Sequence, residues 1–128
     1  MFPTISINSL HLEYQLWINE LNFAKEEINI FEKYLGEIVC KNTSKETLKR
    51  GEHFQNSFIS QKEVIDVLKH NLHISEKQLA TYAHKLSGDS LETVKMDNHS
   101  KLREDVHLFR DIYSDLKKQF REFEGEWL

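Results

Sequence analysis

The sequence predicts an all-α protein, an elongated antiparallel up-down-up three-helix bundle with coiled-coil-like packing at the a and d positions of its heptads. Apolar residues recur at alternating steps of three and four in three long segments. Two short polar breaks separate those segments. One proline and four glycines in 128 residues are too few for a β-rich fold with many turns. We expect a single helical domain over residues 1–128, with helices at about 8–41, 44–87 and 90–127.

The first predicted helix has an unbroken apolar seam. Ten consecutive a and d positions are filled, and they are Ile7, Leu10, Tyr14, Trp17, Leu21, Ala24, Ile28, Phe31, Leu35 and Ile38. A strand would need a period of two, which is absent. Asn8 or Ser9 is expected to cap the start of this helix, and Pro3 lies outside it.

The first break falls at residues 41–44 and is typical of a tight turn between helices. Thr43 and Glu46 fit a capping box for the second helix, with the threonine as the N-cap. Gly51 weakens the first turns of that helix by about 1 kcal/mol relative to alanine, so a fray or kink is considered there. The second seam runs over residues 54–86, with Gln61 and Ser75 as its polar members.

The second break at residues 87–90 contains Gly88, which suits the end of a helix. The third seam is entirely apolar or aromatic and comprises Leu102, Val106, Phe109, Tyr113, Leu116, Phe120, Phe123 and Trp127. Residues 97–100 form a second start signal, so the third helix begins near 90 or near 98. Because each turn reverses the chain, residues of neighbouring helices that face each other have numbers with a nearly constant sum. We expect this sum to be about 85 between helices one and two, and about 177 between helices two and three.

Helix one carries apolar residues that its seam does not use. Leu16, Phe23 and Ile30 are seven apart and Leu12 lies one turn earlier, on a line about 130° from the centre of the seam. Helix two adds three off-seam residues that the antiparallel frame places beside the same flank of helix one, namely Ile59, Val67 and Ile74. The pattern indicates a partner surface, either of a homodimer or for another helical protein. The alternative is that a wide three-helix core buries some of these residues.

A polar layer is expected where His99 extends the third seam inward, near the height of Ser75, with His11 approaching from helix one. A histidine there could respond to pH or bind a metal ion or small ligand, which gives a second hypothesis for the function. The competing interpretation is a hydrogen-bonded histidine that only helps to set the packing of the bundle.

No pattern in the sequence indicates catalysis, and we expect a non-enzymatic protein with no cofactor. Phosphate-binding glycine loops and serine or zinc hydrolase motifs are absent. The net charge of −4 and the interleaving of basic with acidic residues argue against a nucleic-acid partner. No signal peptide or membrane-spanning run is evident, so a cytoplasmic protein is expected.

Two local sequences carry a resemblance. Residues 41–46, Lys-Asn-Thr-Ser-Lys-Glu, and residues 52–56, Glu-His-Phe-Gln-Asn, together with Trp127 near the end, resemble short uncharacterised all-helical bacterial proteins. The resemblance implies a helical fold over most of the chain and brings no catalytic residue or activity with it.

Overall fold

The computed structural model describes residues 4–85, 93–95 and 99–127. The elements in chain order are β1 (Thr4–Ser6), α1 (Ile7–Lys41), α2 (Lys45–Lys85), β2 (Thr93–Lys95) and α3 (His99–Gly125). The three helices pack side by side, with α1 most extensively against α2 and least against α3. The predicted all-α three-helix bundle is confirmed.

The predicted seams form the core. Every seam residue of α1 is buried except Ile7, which is partly buried, and in α3 only Trp127, beyond the helix end, is exposed. The buried seam residues of α2 are Phe54, Phe58, Ile65, Leu68, Leu72, Ser75 and Leu79. Ile18 of α1 is also buried, although it lies outside the predicted seam. Side chains 82–86 of the second seam lie outside the described part of the chain.

Polar contacts fix the direction of each helix pair. Gln15 bonds to Glu76 and Lys25 bonds to Asp66, so facing residues of the antiparallel α1 and α2 have numbers that sum to about 91. The prediction of about 85 was therefore wrong by about six residues. Between α2 and α3 the prediction of 177 is close, because Arg50 bonds to Glu126.

The turn between α1 and α2 is closed by a different residue from the one predicted. The Ser44 hydroxyl accepts a hydrogen bond from the Thr47 amide at 3.2 Å, and the Ser44 carbonyl accepts one from the Leu48 amide. Ser44 is thus the N-cap, and Thr43 is not. At the end of α1 the Asn42 side-chain amide donates to the Ile38 carbonyl at 2.8 Å. These bonds satisfy helix-end groups that would otherwise lack partners.

A short antiparallel strand pair, which the sequence did not predict, precedes α1 and α3. Ile5 pairs with Val94, flanked by Thr4 with Lys95 and Ser6 with Thr93. Three-residue strands are too short to show alternation, although threonine, isoleucine and valine favour extended structure. The pairing ties the start of α1 to the segment before α3, and α1 begins at Ile7 rather than at the predicted Asn8 or Ser9.

The structure also gives the start of the third helix and the course of the second helix at Gly51. The third helix begins at His99, near the later of the two predicted starts. The second helix runs unbroken through Gly51, so the fray or kink considered there is absent. Gly51 is instead buried against α1, and a Cβ built on it would lie 2.6 Å from Cγ1 of Val39.

Candidate functional site

The α1 residues predicted to bind a partner form an exposed apolar line, which we call the α1 stripe: Leu12, Leu16, Phe23 and Ile30. Each of these side chains is between 53% and 64% exposed, and the wide core buries none of them. Tyr34 continues the line toward the end of the helix and is 46% exposed. Several large apolar side chains aligned on one helix face form a surface that water solvates poorly.

A row of ion pairs separates the α1 stripe from α3. The pairs are Glu13 with Arg103, Glu20 with Arg110 and Glu27 with Lys117, at 2.8 Å, 2.8 Å and 3.1 Å between charged atoms. Each partner lies 90 residues further along the chain, so α1 and α3 run parallel in register. Each glutamate lies three residues before a member of the stripe, which is about 60° round the helix. The stripe therefore lies outside the ionic contact between the two helices.

The three α2 residues predicted for the same surface do not adjoin the α1 stripe. Val67 and Ile74 line clefts together with Lys101 and Asp105 of α3, so they face α3 rather than α1. Ile59 lies one turn from Lys62, which bonds to Glu32 on the opposite flank of α1. The predicted placement was wrong because helical spacing alone does not say on which side of α2 each neighbour lies.

A second apolar surface, not predicted as such, lies between α2 and α3. We call it the α2–α3 groove, and it is formed by the exposed side chains of Val64, Val67, Leu108 and Ile112. The cleft has a volume of about 540 Å³. Leu108 and Ile112 are off-seam residues of α3, and the same test that identified the α1 stripe could have found them.

His99, the central residue of the predicted polar layer, points into the core. Its side chain is buried and its ring stacks on Trp17, with 5.9 Å between centroids, and leans on Tyr14 at the same distance. Its Nε2 lies 3.0 Å from Nη2 of Arg103 and 3.8 Å from a carboxylate oxygen of Glu13. The inward position predicted for His99 is confirmed, as is the burial of Ser75.

Burial and the Arg103 guanidinium favour the neutral form of His99. Burial lowers the pKa of His99 below 6.5, the Glu13 carboxylate opposes this, and the Arg103 guanidinium adds to it. A guanidinium can only donate hydrogen bonds, so the Nε2 that it contacts must be unprotonated and Nδ1 carries the hydrogen. The Nε2 lone pair, to which a metal ion or a proton would bind, therefore already accepts a hydrogen bond from Arg103.

Acidification should destabilise the protein through His99. Its pKa is lowered on folding, so the unfolded chain takes up the proton first, near pH 6.5, and stability is lost as the pH falls below that value. We expect urea unfolding to show a free energy that falls between about pH 7 and 5, and that falls less in a His99→Gln variant. His70→Gln, at an exposed histidine of α2, should keep the wild-type slope. Equal slopes for the wild type and His99→Gln would contradict this prediction.

The other histidine of the proposed polar layer has different partners. His11 is exposed, and its Nδ1 lies 3.2 Å from Glu76 of α2. Within the described residues, no group of three or more histidine, cysteine, aspartate or glutamate side chains is placed to hold a metal ion. The structure thus gives His11 and His99 separate contacts rather than a common ligand set.

The two buried tyrosines of the core remain protonated at neutral pH. Burial raises the pKa of Tyr14 to about 12, with the neighbouring Ser75 hydroxyl acting in the opposite direction. Burial and the Glu27 carboxylate raise the pKa of Tyr113, whose hydroxyl donates to Glu27 at 2.7 Å. Neither phenol is therefore poised to exchange protons near neutral pH.

No protein family, curated protein or solved structure matches this chain. Across the described residues, none of the helices is both long and apolar enough to pass through a lipid bilayer.

Proposed function

We propose that this chain is a non-enzymatic, cytoplasmic protein-interaction module that binds a helical protein through the α1 stripe. The observation that carries the proposal is the exposure of four large apolar side chains along some four to five turns of one helix. Burial of such a face against another apolar surface is favourable, by roughly 25 cal/mol for each Å² removed from water. An α-helix laid along the stripe can contact every member of it.

The architecture supports this use of the stripe. The ion pairs that join α1 to α3 lie about 60° round the helix from the stripe, so an incoming helix need not break the Glu13–Arg103 or Glu20–Arg110 contact. The core beneath α1 is formed by buried residues such as Leu21 and Ile28. The stripe is thus held on a rigid support, which lowers the entropy lost on binding.

The alternative, a metal ion or small ligand bound through His99 and His11, has less support. Arg103 places a positive charge 3.0 Å from His99 Nε2, where it would repel a cation. His11 is exposed and contacts Glu76. A ligand would have to displace both sets of contacts before it could bind the two histidines together.

Site-specific photo-cross-linking in the cell that makes the protein tests the proposed function. A photo-reactive amino acid at position 23 should give a discrete protein adduct, several-fold more abundant than the adduct formed from position 111 on the exposed polar face of α3. The Leu16→Glu change should abolish the adduct from position 23, because a charge on the stripe opposes burial.

The mass of the adduct separates the outcomes. An adduct of twice the chain mass, or of the chain plus another protein, supports the proposed function in either case. Equal labelling from positions 23 and 111, or labelling that Leu16→Glu leaves unchanged, would overturn it.

A further inference from the structure

The exposed apolar residues of α1 are arranged symmetrically about Phe23. Leu16 and Ile30 each lie seven residues from Phe23, and Leu12 and Tyr34 each lie eleven residues from it. These five are all of the exposed large apolar side chains on α1, a helix described over its whole length. At 100° per residue they fall within about 40° of one another round the helix. The face therefore presents the same spacing in both directions along α1.

We propose that the partner of the α1 stripe is a second copy of this chain, docked antiparallel with a two-fold axis at Phe23. The inference rests on the proposed function and names its partner. In this arrangement the two Phe23 rings meet on the axis, Leu16 of each copy meets Ile30 of the other, and Leu12 meets Tyr34. An interface of this kind is self-complementary, as two-fold symmetry requires.

The polar residues beside the stripe favour the antiparallel arrangement over a parallel one. Glu26 and Asn19 lie three and four residues on either side of Phe23, on the same exposed flank of the stripe. Antiparallel docking brings Glu26 of one copy to Asn19 of the other, where the amide can donate to the carboxylate. In a parallel two-fold pair opposite flanks meet, so Glu26 of one copy would lie beside the flank of the other that carries Glu20 and Glu27, and like charges repel.

The opposite flank of the stripe carries charges that are already paired within each copy. Glu20 is held by Arg110 and Glu27 by Lys117. Antiparallel docking brings these two ion pairs together from the two copies, and each of them is neutral as a pair. The flank therefore adds no uncompensated charge to the interface.

The area available predicts a reversible dimer. The five side chains would bury roughly 1,000 Å² in total over the two copies, at the lower end of specific interfaces and in the range of weak or transient complexes. Alignment of two α1 helices in opposite directions also sets their dipoles antiparallel, which is favourable. We expect a dimer that forms with increasing concentration rather than an obligate one.

Disulfide trapping tests the arrangement, in a Cys40→Ser background because Cys40 is the single cysteine and is exposed. Phe23→Cys should form a covalent dimer on mild oxidation, since the two thiols lie on the axis. Leu16→Cys alone should not, because its two copies would be about 21 Å apart along the helix. Mixing Leu16→Cys protein with Ile30→Cys protein should give the mixed covalent dimer and little of either homodimer.

Loss of the central ring could itself weaken the Phe23→Cys dimer, and the mixing experiment covers that case because it leaves Phe23 in place. Homodimers of Leu16→Cys that form as fast as the mixed species would indicate a parallel pair and overturn the inference. Cross-linking no faster than that of the unsubstituted protein through its native Cys40 would also overturn it.

Sedimentation provides the independent measurement. The wild type should show a concentration-dependent dimer, and Leu16→Glu with Phe23→Glu should give a folded monomer by circular dichroism and mass. The matched control, Val67→Glu with Leu108→Glu in the α2–α3 groove, should still dimerise. A wild type that stays monomeric at every concentration, while position 23 cross-links to another protein in the cell, would overturn the second-copy inference and leave the proposed function in place.

Discussion

Replacement of Phe120 by alanine is expected to lower the free energy of unfolding by about 3–5 kcal/mol, the largest effect of any single change considered for this protein. Phe120 is fully buried, and its ring contacts four other rings that come from all three helices. They are Phe31, Phe54, Phe58 and Phe123, with ring centroids 5.1–6.4 Å from that of Phe120. Alanine would leave a cavity, and the surrounding rings cannot fill it because they are held on three different helices.

Urea unfolding followed by circular dichroism measures the Phe120 effect. Phe120→Leu should lose clearly less stability than Phe120→Ala, because leucine fills more of the space, and it remains measurable if the alanine variant fails to fold. Leu108→Ala, at a side chain that is 60% exposed on the same helix, should change the stability by no more than about 0.5 kcal/mol. A Phe120→Ala loss no larger than that of Leu108→Ala would contradict the packing argument.

Helical periodicity predicted the core almost completely, for a physical reason. A residue at the centre of a seam faces two neighbouring helices whatever their exact offset, so burial depends on the heptad position more than on the register. This is why Leu10, Phe31 and Phe120 could all be placed in the core, and why His99 could be placed inward.

The register between α1 and α2 could not be predicted in the same way. A symmetrical turn would place residue 60 opposite Lys25, whereas Lys25 contacts Asp66, six residues further along α2. Side chains lean toward the start of their own helix, which shifts contacting pairs of antiparallel helices to higher numbers and accounts for part of the difference. The short β1–β2 pair was missed because pairing between distant three-residue segments leaves no periodic signal.

The candidate surfaces were predicted in part. The exposure of the α1 stripe follows from the angle between its residues and the seam, which the sequence contains. The assignment of Val67 and Ile74 to the same surface failed because it required knowing on which side of α2 the third helix lies. The glutamates at 13, 20 and 27 and the basic residues at 103, 110 and 117 share a heptad spacing, and this signal could have revealed the parallel α1–α3 contact.

Gly51→Ala should destabilise the bundle, although alanine is the better helix former. The change gains about 1 kcal/mol of helix propensity. The new Cβ would however lie 2.6 Å from Cγ1 of Val39, well inside contact distance. A valine in a helix is nearly restricted to one side-chain rotamer, so the methyl group cannot turn away and the two helices must separate. Overpacking of this kind costs about 1–3 kcal/mol, which gives a net loss of up to about 2 kcal/mol.

In a Val39→Ala protein, the effect of Gly51→Ala on stability should have the opposite sign. In a Val39→Ala protein the clashing methyl group is gone, so adding Gly51→Ala should raise the free energy of unfolding by up to about 1 kcal/mol. Gly36→Ala is the matched control, because it is also helical and a Cβ there meets nothing within 4 Å, so it should be stabilising in either background. Urea unfolding of the four members of the cycle measures the coupling. If Gly51→Ala changes stability by the same amount in the wild-type and Val39→Ala backgrounds, close approach of the helices is not the reason for a glycine at this position.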